Sequence, residues 1–191
     1  GGASGIGQAI CQRLNSEGAQ IVFIDRNRKA GLNFEEELKH SEQPVIFIQA
    51  ELTLEDELEG AFSKASENIG RIDVLINNAG DTSSSLLEEM DLDLWNRVVS
   101  VNLTGVFLMT QKVIPLMKSQ QYGRIVNIAS MAGKRGSRYL SAYSAAKHGV
   151  LGFTQSVALE VVDFGVMVNA VCPGYVDTPG QKSNVEKIMK D

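Results

Sequence analysis

The chain has 191 residues, of which 43% are hydrophobic and 21% charged, and its formal net charge is -5 at pH 7. These proportions fit one globular domain with a buried core and exclude a disordered chain. The acidic balance offers no electrostatic attraction for nucleic acid or an anionic membrane surface, so a small-molecule partner is expected. We find no apolar run of about twenty residues that would predict a membrane span. The two cysteines lack the spacing of a zinc site or a disulfide scaffold, so a cytoplasmic protein without a metal site is expected.

Short apolar runs rich in β-branched residues alternate with helical patterns along the chain. The predicted strands, expected to be buried on both faces, are Gln20 to Asp25, Pro44 to Gln49, Ile72 to Asn77, Arg124 to Ala129 and Val166 to Val171. Helical spacing of apolar residues is found in Ile6 to Leu14, Leu54 to Ala65, Trp95 to Met117 and Tyr143 to Phe164. The alternation predicts an α/β fold with a doubly wound parallel sheet of the Rossmann type, in three layers. Ligands bind such sheets beyond the carboxyl ends of the strands.

The chain opens at Gly1 inside a glycine-rich turn, and no strand precedes that turn. In a doubly wound sheet the strand that feeds this turn is central, and without it two neighbouring strands have unpaired backbone groups. We therefore expect the sequence to be truncated at its start.

The glycine-rich turn, residues 1–7, leads directly into a helix. Glycines permit a tight turn and close approach, and amides at a helix start face a pyrophosphate. The spacing of Gly1, Gly5 and Gly7 differs from the common Gly-x-Gly-x-x-Gly fingerprint. An ordinary glycine-rich turn therefore stays open as an alternative.

Asp25 closes the next predicted strand, 18 positions after Gly7. A carboxylate there accepts a hydrogen bond from a ribose 2'-hydroxyl and repels a 2'-phosphate, which favours NAD over NADP. Ser4, inside the turn, adds no positive charge against this preference. Arg26 opposes it, because a guanidinium beside the site can hold a phosphate. The alternative for Asp25 is an ordinary turn residue after a strand.

Tyr143 and Lys147 are four positions apart at the start of a mostly apolar helix, so they share one face. A buried cation beside a phenol favours the phenolate and lowers the tyrosine pKa toward the range of a general acid/base. A tyrosine that packs on a lysine stem at a helix surface is the alternative. The pair is the candidate acid/base centre.

Two further polar residues lie where the predicted fold places ligands or buries polar groups. Ser130 follows the strand that ends at Ala129, where its hydroxyl can hold a substrate carbonyl oxygen beside Tyr143 or simply begin a turn. Asn102 interrupts an apolar stretch of a long helix, and a buried amide needs partners. It either binds a water that relays protons from Lys147 or caps a local kink.

Two small-residue segments complete the motifs. Asn77-Asn78-Ala79-Gly80 ends a strand, as suits a backbone lying against a flat cofactor or a plain turn. Pro173-Gly174-Tyr175-Val176-Asp177-Thr178 follows the last predicted strand, where Thr178 can meet a carboxamide. A generic Pro-Gly turn is the alternative.

Together, these motifs resemble the short-chain dehydrogenase/reductase family, in the subgroup marked by Thr-Gly-x-x-x-Gly-x-Gly and Tyr-x-x-x-Lys. The match runs from Gly1 to Thr178 in family order. The resemblance implies an oxidoreductase that transfers a hydride between NAD, with NADP less favoured, and an alcohol or ketone of the sugar, polyol, hydroxy acid or 3-oxoacyl class. It also implies a homotetramer built on the two long helices.

The resemblance assigns roles to individual residues. Ser130 would orient the substrate, and Tyr143 would donate or accept the proton. Lys147 would bind the nicotinamide ribose and lower the Tyr143 pKa, while Asn102 would position the relay water. The implied dinucleotide contacts are Gly1, Ser4, Gly5, Ile6, Gly7, Asp25, Arg26, Glu51, Leu52, Asn78, Ala79, Gly80, Tyr143, Lys147, Pro173, Gly174, Val176 and Thr178.

The chain departs from the family pattern in a few places. Glu51 stands where Asp is usual, and the Thr expected before Gly1 is absent together with its strand. The resemblance implies that the terminal strand and most of the substrate lid are absent too. We expect a single NAD(P)-binding domain over residues 1–191, truncated at both ends, with 180–191 beginning the lid.

Three other functions stay open. A nucleotide-sensing module would keep the pocket without useful chemistry, and an epimerase or dehydratase would use Tyr and Lys without net change in NADH. An NADP-dependent 3-oxoacyl reductase differs only in cofactor and substrate. The expected substrate lining, Asp81 to Leu86, Met131 to Tyr139 and Tyr175, mixes polar, basic and aromatic groups and does not choose among substrates.

Overall fold

The structure, a computed structural model, describes residues 1–178. The described chain forms two compact units. The N-terminal unit comprises residues 1–71 together with Thr178, and the C-terminal unit comprises residues 72–177. Each unit has parallel strands flanked by helices, as the α/β prediction requires.

The N-terminal unit alternates helix and strand. Its elements are α1 (Gly5–Ser16), β1 (Ile21–Asp25), α2 (Arg28–Glu37), β2 (Val45–Gln49) and α3 (Glu55–Ile69). The two strands pair in parallel, with Ile21 opposite Val45 and Asp25 opposite Gln49. This register brings the carboxyl ends of both strands to the same edge.

Three aromatic side chains fill the core of this unit. The Phe23 ring lies 5.2 Å from the Phe34 ring and 5.3 Å from the Phe47 ring, measured between centroids. Phe34, on α2, is 1% exposed. The sequence did not predict α2, because its apolar positions are few and Leu32 points outward at 45% exposure. Packing of Phe34 stabilises a helix that has few apolar residues of its own.

The C-terminal unit contains the remaining strands and the longest helices. Its main elements are β3 (Val74–Asn77), α4 (Leu92–Val99), α5 (Gly105–Gln120), β4 (Gly123–Ile128), α6 (Ser141–Val161) and β5 (Val166–Val171). A π-helical turn, Ser100–Thr104, joins α4 to α5, and short 3-10 turns lie at Leu87–Glu89, Met131–Gly133 and Val162–Phe164. The three strands are parallel in the order β3-β4-β5.

The structure has all five predicted strands, each ending within two residues of the prediction. Their predicted burial on both faces is wrong for β5, where Val166 and Val168 are buried but Met167 is 54% exposed. Helix α6 packs against this edge strand, and the alternation shows that the described residues cover only one of its faces. In β3, Val74 is also 44% exposed.

The helical stretch Leu92–Gln120 bears against the expectation that no apolar run of about twenty residues predicts a membrane span. By length and composition alone it could cross a bilayer, and 44% of its most apolar window is buried inside the protein. Val98, Val113 and Met117 are each no more than 1% exposed. These are the properties of a core helix.

Candidate active site

The carboxyl ends of β3, β4 and β5 meet at one edge of the C-terminal sheet, because all three strands are parallel. Asn77 is the last residue of β3, and Ser130 follows β4. The Met131 amide donates to the Pro173 carbonyl oxygen at 2.9 Å, which joins the turn after Ser130 to the segment after β5. Ser130 and Pro173 therefore lie at the edge that the sequence predicted.

Helix α6 brings Tyr143 and Lys147 to this edge. The Lys147 side chain is almost fully buried, and its Nζ donates to the Ile128 carbonyl oxygen at 2.7 Å, at the end of β4. The same Nζ lies 5.6 Å from the centre of the Tyr143 ring. A Cβ on Gly133 would lie only 2.7 Å from the Lys147 carbonyl oxygen. The turn that carries Ser130 thus packs directly on the backbone of α6.

Burial shifts the pKa values of Tyr143 and Lys147 in the directions that favour their neutral forms. Loss of solvent lowers the pKa of Lys147 to about 8, with the nearby Cys172 acting in the opposite direction. Burial raises the pKa of Tyr143, and a hydrogen bond with the Ser130 side chain acts against that rise. The expectation that Lys147 lowers the Tyr143 pKa is therefore wrong for this structure. Loss of water around the phenol is the largest cause of the raised Tyr143 pKa, and the Nζ of Lys147 is bound to the Ile128 carbonyl oxygen.

Asn102 lies in the π-helical turn and is completely buried. Its Nδ2 donates to the Val98 carbonyl oxygen at 2.9 Å and to the Asp81 carbonyl oxygen at 2.7 Å. Its Oδ1 is buried and accepts no hydrogen bond from the described residues, and a Cβ on Gly80 would lie 3.1 Å from it. The Nδ2 group of Asn102 therefore binds a carbonyl oxygen next to the π-helical turn, as expected if Asn102 caps a local kink. Its Oδ1 is a free acceptor of the kind that a relay water needs.

Helix α6 also packs closely on this turn. A Cβ on Gly149 would lie 2.8 Å from Cδ2 of Leu103. The structure therefore brings the elements that carry all four predicted catalytic residues, Asn102, Ser130, Tyr143 and Lys147, into one unit.

A chain of buried polar side chains below the site was missed by sequence reasoning. Asn77 Nδ2 donates to Thr110 Oγ1 at 3.1 Å and to Asn127 Oδ1 at 2.8 Å. Asn127 Nδ2 donates to Thr154 Oγ1 at 2.9 Å, and that hydroxyl donates to the Val150 carbonyl oxygen at 2.7 Å. This chain, called the Asn77–Thr154 network below, links β3 and β4 to α5 and α6. The signal was an asparagine inside the apolar strand β4, since buried amides need partners.

The glycine-rich turn in the N-terminal unit has the backbone that the sequence predicted. Gly5 has a φ of +54°, in the left-handed region that favours glycine. A Cβ on Gly2 would lie 2.7 Å from Cβ of Phe23. Ser4 precedes α1 in an extended conformation, and its side chain does not cap the helix. Thr178 packs over the turn, with Cγ2 3.2 Å from the Cβ position at Gly5.

Asp25 ties the glycine-rich turn to the end of β1. The residue is 8% exposed, and its oxygens accept hydrogen bonds from the Ala3 amide at 3.1 Å and the Asn27 amide at 2.9 Å. Because each carboxylate oxygen accepts more than one hydrogen bond, a ribose hydroxyl can still be bound. Arg26 is drawn toward Glu51, with 3.5 Å between Nη1 and Oε2. The guanidinium that could hold a phosphate thus faces a carboxylate.

The other predicted dinucleotide contacts are found at the ends of strands or the starts of helices in each unit. Ile6 and Gly7 are in the first turn of α1, Leu52 precedes α3, Asn78 to Gly80 follow β3, and Gly174 and Val176 follow β5. In the N-terminal unit, an uncapped helix start, a left-handed glycine and a carboxylate at a strand end fit the pyrophosphate and ribose of a dinucleotide.

Comparison of the chain with known proteins identifies the family to which it belongs. The family model for short chain dehydrogenases matches residues 1–188. A 3-oxoacyl-[acyl-carrier-protein] reductase of Synechocystis is 40% identical over all of this chain and 78% of its own length. A D-beta-hydroxybutyrate dehydrogenase of Rhizobium meliloti is 38% identical over 94% of this chain and 70% of its own length.

A solved structure is also close. The crystal structure of a variant of actinorhodin polyketide ketoreductase with NADPH has a TM-score of 0.94 and 39% identity, covering 98% of this chain and 72% of that one. The likeness confirms the predicted α/β fold of the Rossmann type. The chain belongs to the short-chain dehydrogenase/reductase family, whose members are NAD(P)-dependent oxidoreductases acting on hydroxy and oxo groups.

Proposed function

We propose that the protein transfers a hydride between NAD(H) and an alcohol or ketone, with Tyr143 as the acid/base. The observation that carries this proposal is the convergence of the Ser130 and Tyr143 hydroxyls beside a lysine that is 2% exposed. An isolated buried cation is costly, so a lysine in this position indicates a function that needs it.

In the reducing direction, Ser130 and Tyr143 hold the substrate carbonyl oxygen between their hydroxyl groups. When bound, a nicotinamide would supply the hydride to the substrate carbon in this direction and would accept it in the oxidising direction. Tyr143 Oη gives its proton to the oxygen as the O–H bond of the alcohol forms. A phenol with a raised pKa is fully protonated at neutral pH, which suits this acid role.

Lys147 and Asn102 then restore the proton on Tyr143. A lysine pKa of about 8 lets Nζ exchange protons near neutral pH. The free Oδ1 of Asn102 is the acceptor that would fix a water in a relay from Lys147 to solvent. In the oxidising direction the same groups remove the proton.

NAD is the proposed cofactor rather than NADP. The carboxylate of Asp25 at the end of β1 repels a 2'-phosphate, and Arg26 faces Glu51. The ketoreductase variant solved with NADPH is the specific argument for the rival, an NADP-dependent 3-oxoacyl reductase. The proposed substrate is a small alcohol or ketone of the hydroxy acid, 3-oxoacyl, sugar or polyol class.

Replacement of Tyr143 by Phe tests the chemistry. Tyr143→Phe removes only the hydroxyl, so turnover should fall by about 1000-fold while dinucleotide affinity stays within about threefold. Turnover is followed by NADH absorbance with a panel of ketones and alcohols. Tyr122→Phe, at an exposed tyrosine that stacks on Arg124, is the matched control. Near-normal turnover of Tyr143→Phe would remove the acid/base assignment, and a wild type inactive on the whole panel would favour the nucleotide-sensing module.

Cofactor choice is tested by the ratio of kcat/KM values for NAD and NADP, which does not depend on the fraction of folded enzyme. We expect wild type to prefer NAD at least about tenfold and Asp25→Ala to lose about tenfold of that preference. Equal use of the two cofactors by wild type would contradict the assignment of Asp25.

A further inference from the structure

The loop after β3, where the expected substrate lining begins, is closed by a set of hydrogen bonds that the sequence did not predict. Arg97, on α4, donates from Nε to Asp81 Oδ2 at 3.1 Å and from Nη2 to Ser83 Oγ at 3.2 Å. The other Asp81 oxygen accepts from the Ser83 amide at 2.8 Å and from the Ser83 hydroxyl at 2.5 Å. Three residues thus fix the conformation of residues 81–83 against α4.

The backbone of the same aspartate holds Asn102. The Asp81 carbonyl oxygen accepts from Asn102 Nδ2 at 2.7 Å, while the Asp81 side chain is held by Arg97. Arg97 and Asn102 come from one continuous helical stretch, before and within the π-helical turn. Asp81 is therefore held at two points, its carboxylate by Arg97 and its carbonyl oxygen by Asn102.

Stability alone does not explain the ion pair. The Arg97 side chain is 55% exposed, and an exposed arginine–carboxylate pair contributes little to folding. The pair does have a geometric effect, because it sets the orientation of the peptide that follows Asp81. If that peptide rotated, Asn102, a fully buried residue, would lose an acceptor of its Nδ2 group.

The direction of Asn102 Oδ1 depends on this anchoring. With Nδ2 bound to the carbonyls of Val98 and Asp81, the amide cannot turn, and Oδ1 is held on the side of Gly80. A side-chain amide with one loose end has two orientations, which exchange oxygen and nitrogen. We propose that Arg97 is a positioning residue that acts through Asp81 to hold the Asn102 amide in the orientation the proton relay uses. This inference rests on the proposed function, because it assigns the relay to Asn102.

A double-mutant cycle on kcat tests the inference in the full protein. Asn102→Ala should lower kcat by about 10- to 100-fold, and Arg97→Gln should lower it by about tenfold. In the Asn102→Ala background, Arg97→Gln should lower kcat less than twofold further, because the group that it positions is gone. Arg97→Lys keeps the charge but not both donors, so it should recover part of the loss.

Two further readouts separate positioning from a general structural role. In Arg97→Gln the Ser83 amide should exchange its hydrogen faster, while the melting temperature stays close to that of the control Arg13→Gln. Arg13 is an exposed arginine in a salt bridge with Glu17, so this control removes the same type of pair from α1.

Each possible result either supports or contradicts the positioning role of Arg97. Effects of Asn102→Ala and Arg97→Gln that multiply independently would overturn the positioning role while leaving the acid/base function intact. Full activity of Arg97→Gln would overturn it too, and full activity of Asn102→Ala would remove the relay itself. Should Arg97→Gln not fold, the cycle with Arg97→Lys decides on the same criterion.

Discussion

The two units hold their functional groups in different ways. In the N-terminal unit the site is mainly backbone, formed by a left-handed glycine, an uncapped helix start and a carboxylate bound to two amides. In the C-terminal unit it consists of buried and half-buried side chains, which are fixed by hydrogen bonds to carbonyls or to other side chains. The site in the N-terminal unit depends on backbone conformation, and the site in the C-terminal unit depends on polar side chains that are shielded from water. We therefore expect substitutions in the first to act through conformation and substitutions in the second through proton transfer and polar satisfaction.

Among the substitutions that compare the two units, Lys147→Met is expected to have the largest effect, and it separates charge from packing in the C-terminal unit. Turnover should fall by about 100-fold or more, since the proton donor beside Tyr143 is lost. The difference in free energy of unfolding between wild type and Lys147→Met should also depend on pH, because Lys147 titrates differently in the folded and unfolded chains. The pKa of Lys147 is about 8 in the folded chain, against 10.5 for a lysine in water, so the unfolded chain binds more protons between these limits.

The sign follows from that difference. As pH rises from about 8 to 10.5, wild type should gain up to about 3 kcal/mol relative to Lys147→Met, and the gain should disappear again as pH falls through 8. Urea unfolding of both proteins across this range measures it. Parallel pH profiles would show that Nζ titrates normally despite its burial.

A smaller effect is expected where the Asn77–Thr154 network meets α6. Thr154→Val keeps the shape of the side chain but leaves Asn127 Nδ2 without its acceptor in a fully buried position. The expected loss in free energy of unfolding is about 1–3 kcal/mol. Ser156→Val, at an exposed position of the same helix, is the control for the change in helix propensity. A loss no greater than that of the control would mean that Asn127 finds another partner.

The smallest effect is expected at the glycine-rich turn. Gly5→Ala places a side chain at a φ of +54° and 3.2 Å from Thr178, so unfolding should become easier by about 1 kcal/mol and dinucleotide affinity should fall by about tenfold. Gly60→Ala, in the middle of α3 with open space around it, should instead stabilise the protein by about 0.5–1 kcal/mol. Equal effects of the two substitutions, measured by urea unfolding and dinucleotide titration, would mean that the backbone of the turn is not under constraint.

The sequence predicted the positions of functional groups that lie at strand ends or share one helix face. Ser130, Asp25 and the pair Tyr143 and Lys147 could be placed because parallel strands bring their carboxyl ends together and helical spacing aligns two side chains. It failed where the decisive quantity was burial. The direction of the Tyr143 pKa was wrong because the nearby charge was considered and the loss of water was not.

Other features depend on contacts between residues distant in the chain. The Asn77–Thr154 network joins positions 77 and 127, and the Arg97–Asp81 pair joins a helix to a loop. No local spacing predicts such pairs. Helix α2 was missed for a related reason, since Phe34 is buried by packing that its own segment does not reveal.

The π-helical turn at Ser100–Thr104 has a consequence for the phase of the helix that contains it. A π turn is equivalent to one residue inserted in an α-helix, which rotates everything beyond it by about 100°. The rotation turns the two helices toward different sets of neighbours: α4 packs on α6, whereas α5 packs on β3 and β4 as well as on α6. Deleting a single residue from the turn would restore a regular helix and swing one of these faces into solvent, so this segment tolerates substitution more readily than a change in length.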